Sequence, residues 1–193
     1  MLADWLAKIA SRFERRIIYD RDGKSPYLSR FYLLFRDRGG EATWQDGDRF
    51  PLNIFLHHFH RGDDDEALHN HPWRWSVSII LAGGYVEERR VRSWATNLSP
   101  QMSATIAMIT GLLVPFDEVV KRTFKPGSIN VIRANDYHRV DLLDEKHGAW
   151  SLFIAGPRTG KSWGFWDRAS GVFTPWREFI ARKRGVETQH VAR

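Results

Sequence analysis

The chain has 193 residues, 42% hydrophobic and 27% charged, with 9 Trp, 12 Phe and no Cys. This is enough for one well-buried core; it excludes disulfides and thiolate metal sites, so any metal must be held by His, carboxylates or water. A formal net charge of +6 favours acidic ligands. The basic residues nevertheless scatter in small clusters near 15–16, 89–92 and 182–184, with no nucleic-acid module, so a solvated basic surface is the simpler reading and nucleic acid is not the expected partner.

In chain order, residues 2–18 read as an amphipathic helix. Leu2, Trp5, Leu6, Ile9, Phe13 and Ile17 recur at helical spacing, a stripe for packing rather than for a membrane surface. No apolar run reaches transmembrane length and no signal-peptide core is visible, so the expectation is a cytoplasmic protein without a membrane partner. From about 30 to 160 short β-type runs alternate with turns: RFYLLFR, LNIFLHHFH, WRWSVSIILA, YVEERRVRSW, INVIRA, YHRVDLL and AWSLFIA. Gly83–Gly84 predicts a hairpin, and KPGS (125–128) and ANDY (134–137) predict further turns. Residues 95–118 are apolar, low in charge and unassigned; a hairpin over the mouth of the fold, a lid or a contact surface would each fit. Thr174 as N-cap, Pro175 as first helical residue and Gly185 as terminator predict a helix over 175–184, followed by a frayed tail. The pattern describes one mainly-β domain over 1–193, an antiparallel sandwich or barrel with a helix near each end.

The stretch IAGPRTGKSWGFW (154–166) satisfies the relaxed phosphate-loop pattern through Ala155, Gly160, Lys161 and Ser162. A phosphate loop must run from a strand into a helix, and WGFWDRASG after Ser162 carries no helical stripe. It reads instead as a glycine-punctuated loop leaving the last core strand, whose Arg158 and Lys161 remain candidates for an anionic ligand.

Five of eight histidines lie between 57 and 71, in LHHFHRGDDDEALHNHPWRW. In an extended segment residues i and i+2 share a side, so His69 and His71 can grip one cation from adjacent corners. His138, opening the YHRVDLL strand after an Asn-Asp turn, is the best third ligand.

These residues resemble the two motifs of the cupin superfamily. In the first, G-x5-H-x-H-x3/4-E-x6-G, His69, His71 and Gly83 match; Asp63 replaces the first Gly, and Ser76 (or Trp75) stands at the Glu position. In the second, G-x5-P-x-G-x2-H-x3-N, Gly127 and His138 match at the required separation, while Arg133, Asn135 and Leu142 replace the Pro, Gly and Asn. The resemblance covers about residues 50–156, and with the GPR…WGFW ending the whole chain is similar to small single-domain cupin-like proteins of phages and bacteria. It implies a jelly-roll (double-stranded β-helix) barrel and one divalent transition metal on His69, His71 and His138. Loss of the Glu leaves a neutral three-His set similar to that of thiol dioxygenases such as cysteine dioxygenase, which implies Fe(II) and oxygenase or dioxygenase activity on a small anionic molecule. Zn, Ni or Mn suit the same donors, as does a non-oxidative isomerase, epimerase or lyase, or a ligand- or partner-binding role without catalysis. A homodimer is also common in that superfamily.

Around this set, His58 and His60 share a face and, with Ser76, are further metal or supporting candidates, although hydrogen-bonded structural histidines are the simpler reading of the pair. His57, His147 and His190 read as surface residues, and 63–66 as a solvated acidic loop. Arg133, Arg158 and Lys161 are the candidate anchors for an anion, Arg139 ranking below them, and Trp75 a candidate stacking surface. Trp73, Trp163 and Trp166 read most simply as core and end caps.

Overall fold

Alternation at period two decides the layers, because every second side chain of a strand must find cover. The computed structural model describes residues 2–20, 24–34, 52–63, 66–93, 105 and 116–183. A helix α1 (Leu2–Ala10) precedes twelve strands and a second helix α2 (Trp176–Lys183). The strands are β1 (Arg15–Tyr19), β2 (Pro26–Leu34), β3 (Asn53–Phe59), β4 (Leu68–His69), β5 (Trp75–Ala82), β6 (Tyr85–Ser93), β7 (Phe116–Phe124), β8 (Ile129–Arg133), β9 (His138–Leu142), β10 (Ala149–Ala155), β11 (Gly164–Trp166) and β12 (Phe173–Pro175). They form two six-stranded antiparallel sheets, ordered β1-β2-β3-β10-β5-β8 and β12-β11-β4-β9-β6-β7. From β3 onward the chain switches sheet at each step except β6–β7 and β11–β12. This is a mainly-β, jelly-roll arrangement, a two-layer sandwich whose sheets no ladder joins into a closed barrel among the described residues.

Between the layers, Phe55, Phe153, Ala155 and Ile132 of the first sheet pack with Trp73. Ile80 packs with Tyr85 and Val140 of the second. A third cluster lies on the outer face of the first sheet, where Leu6 and Ala10 of α1 cover Phe31, Leu56 and Trp150.

The expected N-terminal helix over 2–18 stops at Ala10. Ser11 caps it, its hydroxyl donating to the Lys8 carbonyl, and a tight turn carries Arg12 and Phe13 back onto Ile9 and Ala10. Ile17 and Ile18, β-branched and poor in helices, instead enter β1 and pair with Ser29 and Leu28. Gly83–Gly84 is not the turn of a paired hairpin: β5 and β6 belong to different sheets, and the two glycines, both at positive φ, form the corner between them. A Cβ on Gly83 would collide with the Gly148 carbonyl, so the corner is packed against a second turn. Pro175 closes β12, and α2 starts one residue later than expected. Residues 95–115, apart from Thr105, lie outside the described residues, as do Asp64, Asp65, Gly185 and His190; 116–118 belong to β7.

The segment at 155–162 cradles no phosphate. β11 rather than a helix follows it, the Thr159 N–H and hydroxyl both donate to the Pro72 carbonyl, and the Lys161 N–H donates to the Thr159 hydroxyl. No helix of the described residues is long and apolar enough to cross a membrane.

Leu6 is the plug between α1 and the sheet. Leu6→Ala is expected to cost about 2–5 kcal/mol in denaturant unfolding, with the slope against denaturant unchanged.

Candidate functional site

The three histidines of the two motifs meet between the sheets' second layer and the loop after β4. His69 on β4 is the cross-strand partner of His138 on β9, and Phe165 of β11 flanks His69 on the other side. Asn70 holds the bend that returns His71 to the same place. Its side chain donates to the Ala134 carbonyl and accepts from the Gly164 N–H, and its own N–H donates to the Gly164 carbonyl. One ring nitrogen from each of the three histidines lies within 4.8 Å of the others. His71 Nε2 and His138 Nε2 are 2.8 Å apart. Two imidazole nitrogens bound at about 2.0–2.1 Å and at right angles to one ion would stand about 3 Å apart, so this pair already has the spacing of adjacent metal ligands.

The tautomer of His138 is decided behind the ring. Its Nδ1 donates to Glu87 Oε1 at 2.7 Å, so the lone pair of the neutral ring is left on Nε2, facing His71. Glu87 is fully buried on β6. Its Oε1 also accepts from Asn130 at 2.9 Å and from Arg89 at 2.9 Å. Burial by itself would raise its pKa; the His138 hydrogen bond and charge, with those of Arg89, outweigh this and hold the carboxyl at about 2. Arg89 extends the network to Asn130 Oδ1 and the Val131 carbonyl of β8, a polar seam between the two sheets.

Burial holds His71 well below the ordinary imidazole value, with His138, His69, Arg30 and His57 adding to the effect in that order. It stacks on Trp73 at 5.6 Å and lies 6.0 Å from Phe153. Three imidazole nitrogens brought together, with His138 buried and His69 and His71 half-buried, are the donors a divalent transition ion takes from histidine, and the donors present fit one. His69, His71 and His138 would hold it, and Glu87 would orient His138.

The remaining candidates are placed as follows. His58 and His60 point out of the sandwich: His58 stacks on Trp150 at 4.2 Å, His60 Nε2 meets the Ser29 hydroxyl at 2.9 Å, and both line a cleft beside α1. The inward residue of that run is His57, 2% exposed and not on the surface; it stacks on Phe153 at 4.8 Å and accepts from Arg30 Nε at 3.1 Å. The parity of β3 is thus opposite to the one expected for His58 and His60, because α1 covers the outer face and makes both faces apolar. Ser76 faces inward on β5, buried, with no hydrogen-bond partner for its Oγ among the described residues. Trp75 lies on the outer face, packed over Gly156. Arg133 and Lys161 are exposed; Arg158 is half-buried opposite Trp73 in an isolated bridge. Asp63 is not part of a solvated loop: its carboxylate accepts the Val140 N–H at 2.7 Å and lies 3.8 Å from His69 Nδ1. His147 is exposed and paired with Asp144.

Sequence reasoning missed Glu87 and Arg30. Glu87 sits in the charged run EERR, which reads as solvated; its only signal is that it shares a face with Tyr85. Arg30 opens an apolar run, and only the pairing of β2 with β3 brings it to His57.

No family model matches the chain, and no curated protein matches it. Solved structures similar to it include KdgF from Halomonas sp., at 12% identity and a TM-score of 0.41, covering 77% of this chain and 91% of that one. An RmlC-like cupin from Shewanella frigidimarina is similar at 12% identity and a TM-score of 0.42, covering 78% and 88%. The DMSP lyase DddQ from Ruegeria pomeroyi is similar at 13% identity and a TM-score of 0.45, covering 83% of this chain and 64% of that one. Likeness at this level carries no argument about the chain's family or its chemistry.

Two outcomes are expected. Glu87→Gln keeps the shape of the side chain but removes its charge, and should weaken metal binding about 10–100-fold in a chelator-competition titration, with circular dichroism unchanged. The second concerns pH in the metal-free protein. His57, His58, His60 and His71 are all held below 6.5, His58 at about 4, mainly by burial. The unfolded chain therefore takes up protons before the folded one. Stability should be full above about pH 6.5 and fall as pH drops towards 4, whereas the Glu87 contribution fades only below about 4.5. A denaturation midpoint measured at steps between pH 8 and 4.5 should show this, with a shallower decline in His58→Gln.

Proposed function

We propose that the chain is a metal-dependent enzyme acting on a small anionic molecule, with Fe(II) held by His69, His71 and His138 and oxygenase or dioxygenase activity. The observation that carries the reading is the convergence of three imidazoles with no carboxylate among the donors. Three nitrogen ligands leave coordination positions for other molecules and leave the charge of the ion uncompensated by its ligands. Fe(II) there would supply the one-electron and O₂ chemistry that no side chain of the set performs.

The chain's own residues bind, orient and shield. Glu87 holds His138 in the tautomer that presents Nε2. Asn70 fixes the two-residue step between His69 and His71. Trp73, Phe153 and Phe165 wall the histidines with aromatic rings. Of the acids beside the set among the described residues, Glu87 is committed to His138, Arg89 and Asn130, and Asp63 accepts the Val140 N–H.

The test is metal analysis of protein purified without chelator and of protein reconstituted with Fe(II) without oxygen. One ion per chain is expected, and the Fe(II) form should give the iron–nitrosyl EPR signal on exposure to nitric oxide, because positions remain open. His138→Ala should lose the metal while the metal-free fold is kept. Retention of the wild-type metal content in that variant would remove the ligand set. A protein that takes Zn, Ni or Mn in preference to iron and consumes no O₂ would shift the reading to the non-oxidative isomerase, epimerase or lyase class.

A further inference from the structure

The outer face of the first sheet carries a cleft of about 480 Å³ at the end of α1, within the usual size of small-ligand sites. Two cross-strand rows make its floor. Ser29 on β2 pairs with His58 on β3, and His58 with Trp150 on β10; in the neighbouring row Arg15 on β1 pairs with Phe31 on β2. Partners across a ladder share a face, and so do residues two apart on one strand, so Ser29 and Phe31 bring both rows to the same side. Ala7 of α1 and Phe13 of the turn after it form the facing wall.

Most of this lining is aromatic. Trp150 stacks on His58 at 4.2 Å and on Phe31 at 6.1 Å. The polar groups gather at one corner, where His60 Nε2 meets the Ser29 hydroxyl at 2.9 Å. Arg15 stands at the same corner: after burial, its charge is what holds the His60 imidazole below the ordinary value. The Arg15 guanidinium makes no hydrogen bond or ion pair with any described residue. No acid lines the cleft, and both of its histidines are held below 6.5, so Arg15 is its one charge at neutral pH among the described residues. An apolar, ring-lined cleft with a single unanswered cation at one end is complementary to a flat apolar body that carries one negative group. Rings gain directional contacts against rings that a flexible chain does not, and the guanidinium fork matches a carboxylate in shape.

We propose that this cleft is a second ligand site that takes a small aromatic carboxylate, its ring against the Phe31–Trp150–His58 wall and its carboxylate on Arg15 beside the Ser29–His60 pair. The three histidines lie between the layers, on the other side of the first sheet, so the cleft requires neither them nor a metal.

Calorimetric titration of the metal-free full chain with 2-naphthoate, its neutral analogue 2-naphthamide and the aliphatic acid octanoate tests this. Naphthoate should bind once per chain, and both other compounds at least about tenfold more weakly, the first for want of charge and the second for want of a ring. Arg15→Gln, at an exposed position, should weaken naphthoate by a similar factor. Ala7→Leu, which keeps a good helix former in α1, should narrow the cleft and weaken naphthoate at an unchanged unfolding midpoint. His138→Ala should bind naphthoate as the wild type does. Absence of naphthoate binding, equal binding of naphthamide or octanoate, or wild-type affinity in both Arg15→Gln and Ala7→Leu would overturn the proposal. So would loss of binding in His138→Ala, which would place the ligand at the three histidines. The first three results would leave the metal reading untouched.

Discussion

The site depends on one hydrogen bond, from His138 Nδ1 to the buried carboxylate of Glu87. A neutral imidazole has one lone pair, and the side that donates decides where that lone pair points. With Nδ1 committed to Glu87, His138 presents Nε2 to His71, and the two nitrogens stand at the spacing of adjacent ligands. Glu87 can do this only as an anion, and a lone anion at zero exposure would be intolerable. Arg89 and Asn130 are the compensation, and they tie the second sheet to β8 of the first. The bond that orients a ligand is thus the centre of the network that joins the layers.

Charge is arranged around this centre by separation. The negative groups are already answered: Glu87 by His138 and Arg89, Glu88 by Lys121, Arg139 and Arg168 on the other face of β6, and Asp63 by the Val140 N–H. Burial holds His57 and His71 well below the ordinary imidazole value. On the opposite sheet Arg30 lies over the rings of Phe55 and Trp73 beside His71. A divalent ion added to such a set would make the interior strongly electropositive, in a place where low dielectric magnifies charge.

Much of the fold was legible. The short apolar runs and their turns follow from local preferences, and seven of the runs became strands. His69 and His71 were readable as a pair because period-two spacing is a local property, and His138 because it opens a strand after a turn. Other elements were not. Ile17 and Ile18 left the expected helix because pairing with β2 outweighed the apolar stripe. Gly83–Gly84 announced a turn but not that the turn crosses between layers.

The sequence by itself determined that this chain is a mainly-β domain with a helix near each end, without thiol chemistry, and with a histidine pair and a third histidine in motif order. Only the tertiary structure decided the phase of β3, the partner of His138 and the cation that faces the site. The physical reason is the same in each case. Which side chains alternate is written locally, but which side of a strand is inside depends on what covers the other side, here α1 over Trp150 and Leu56. Likewise, a charged residue in a strand declares its charge in the sequence, but whether it is solvated or buried against a histidine depends on a strand about 50 residues away, as for Glu87 and His138.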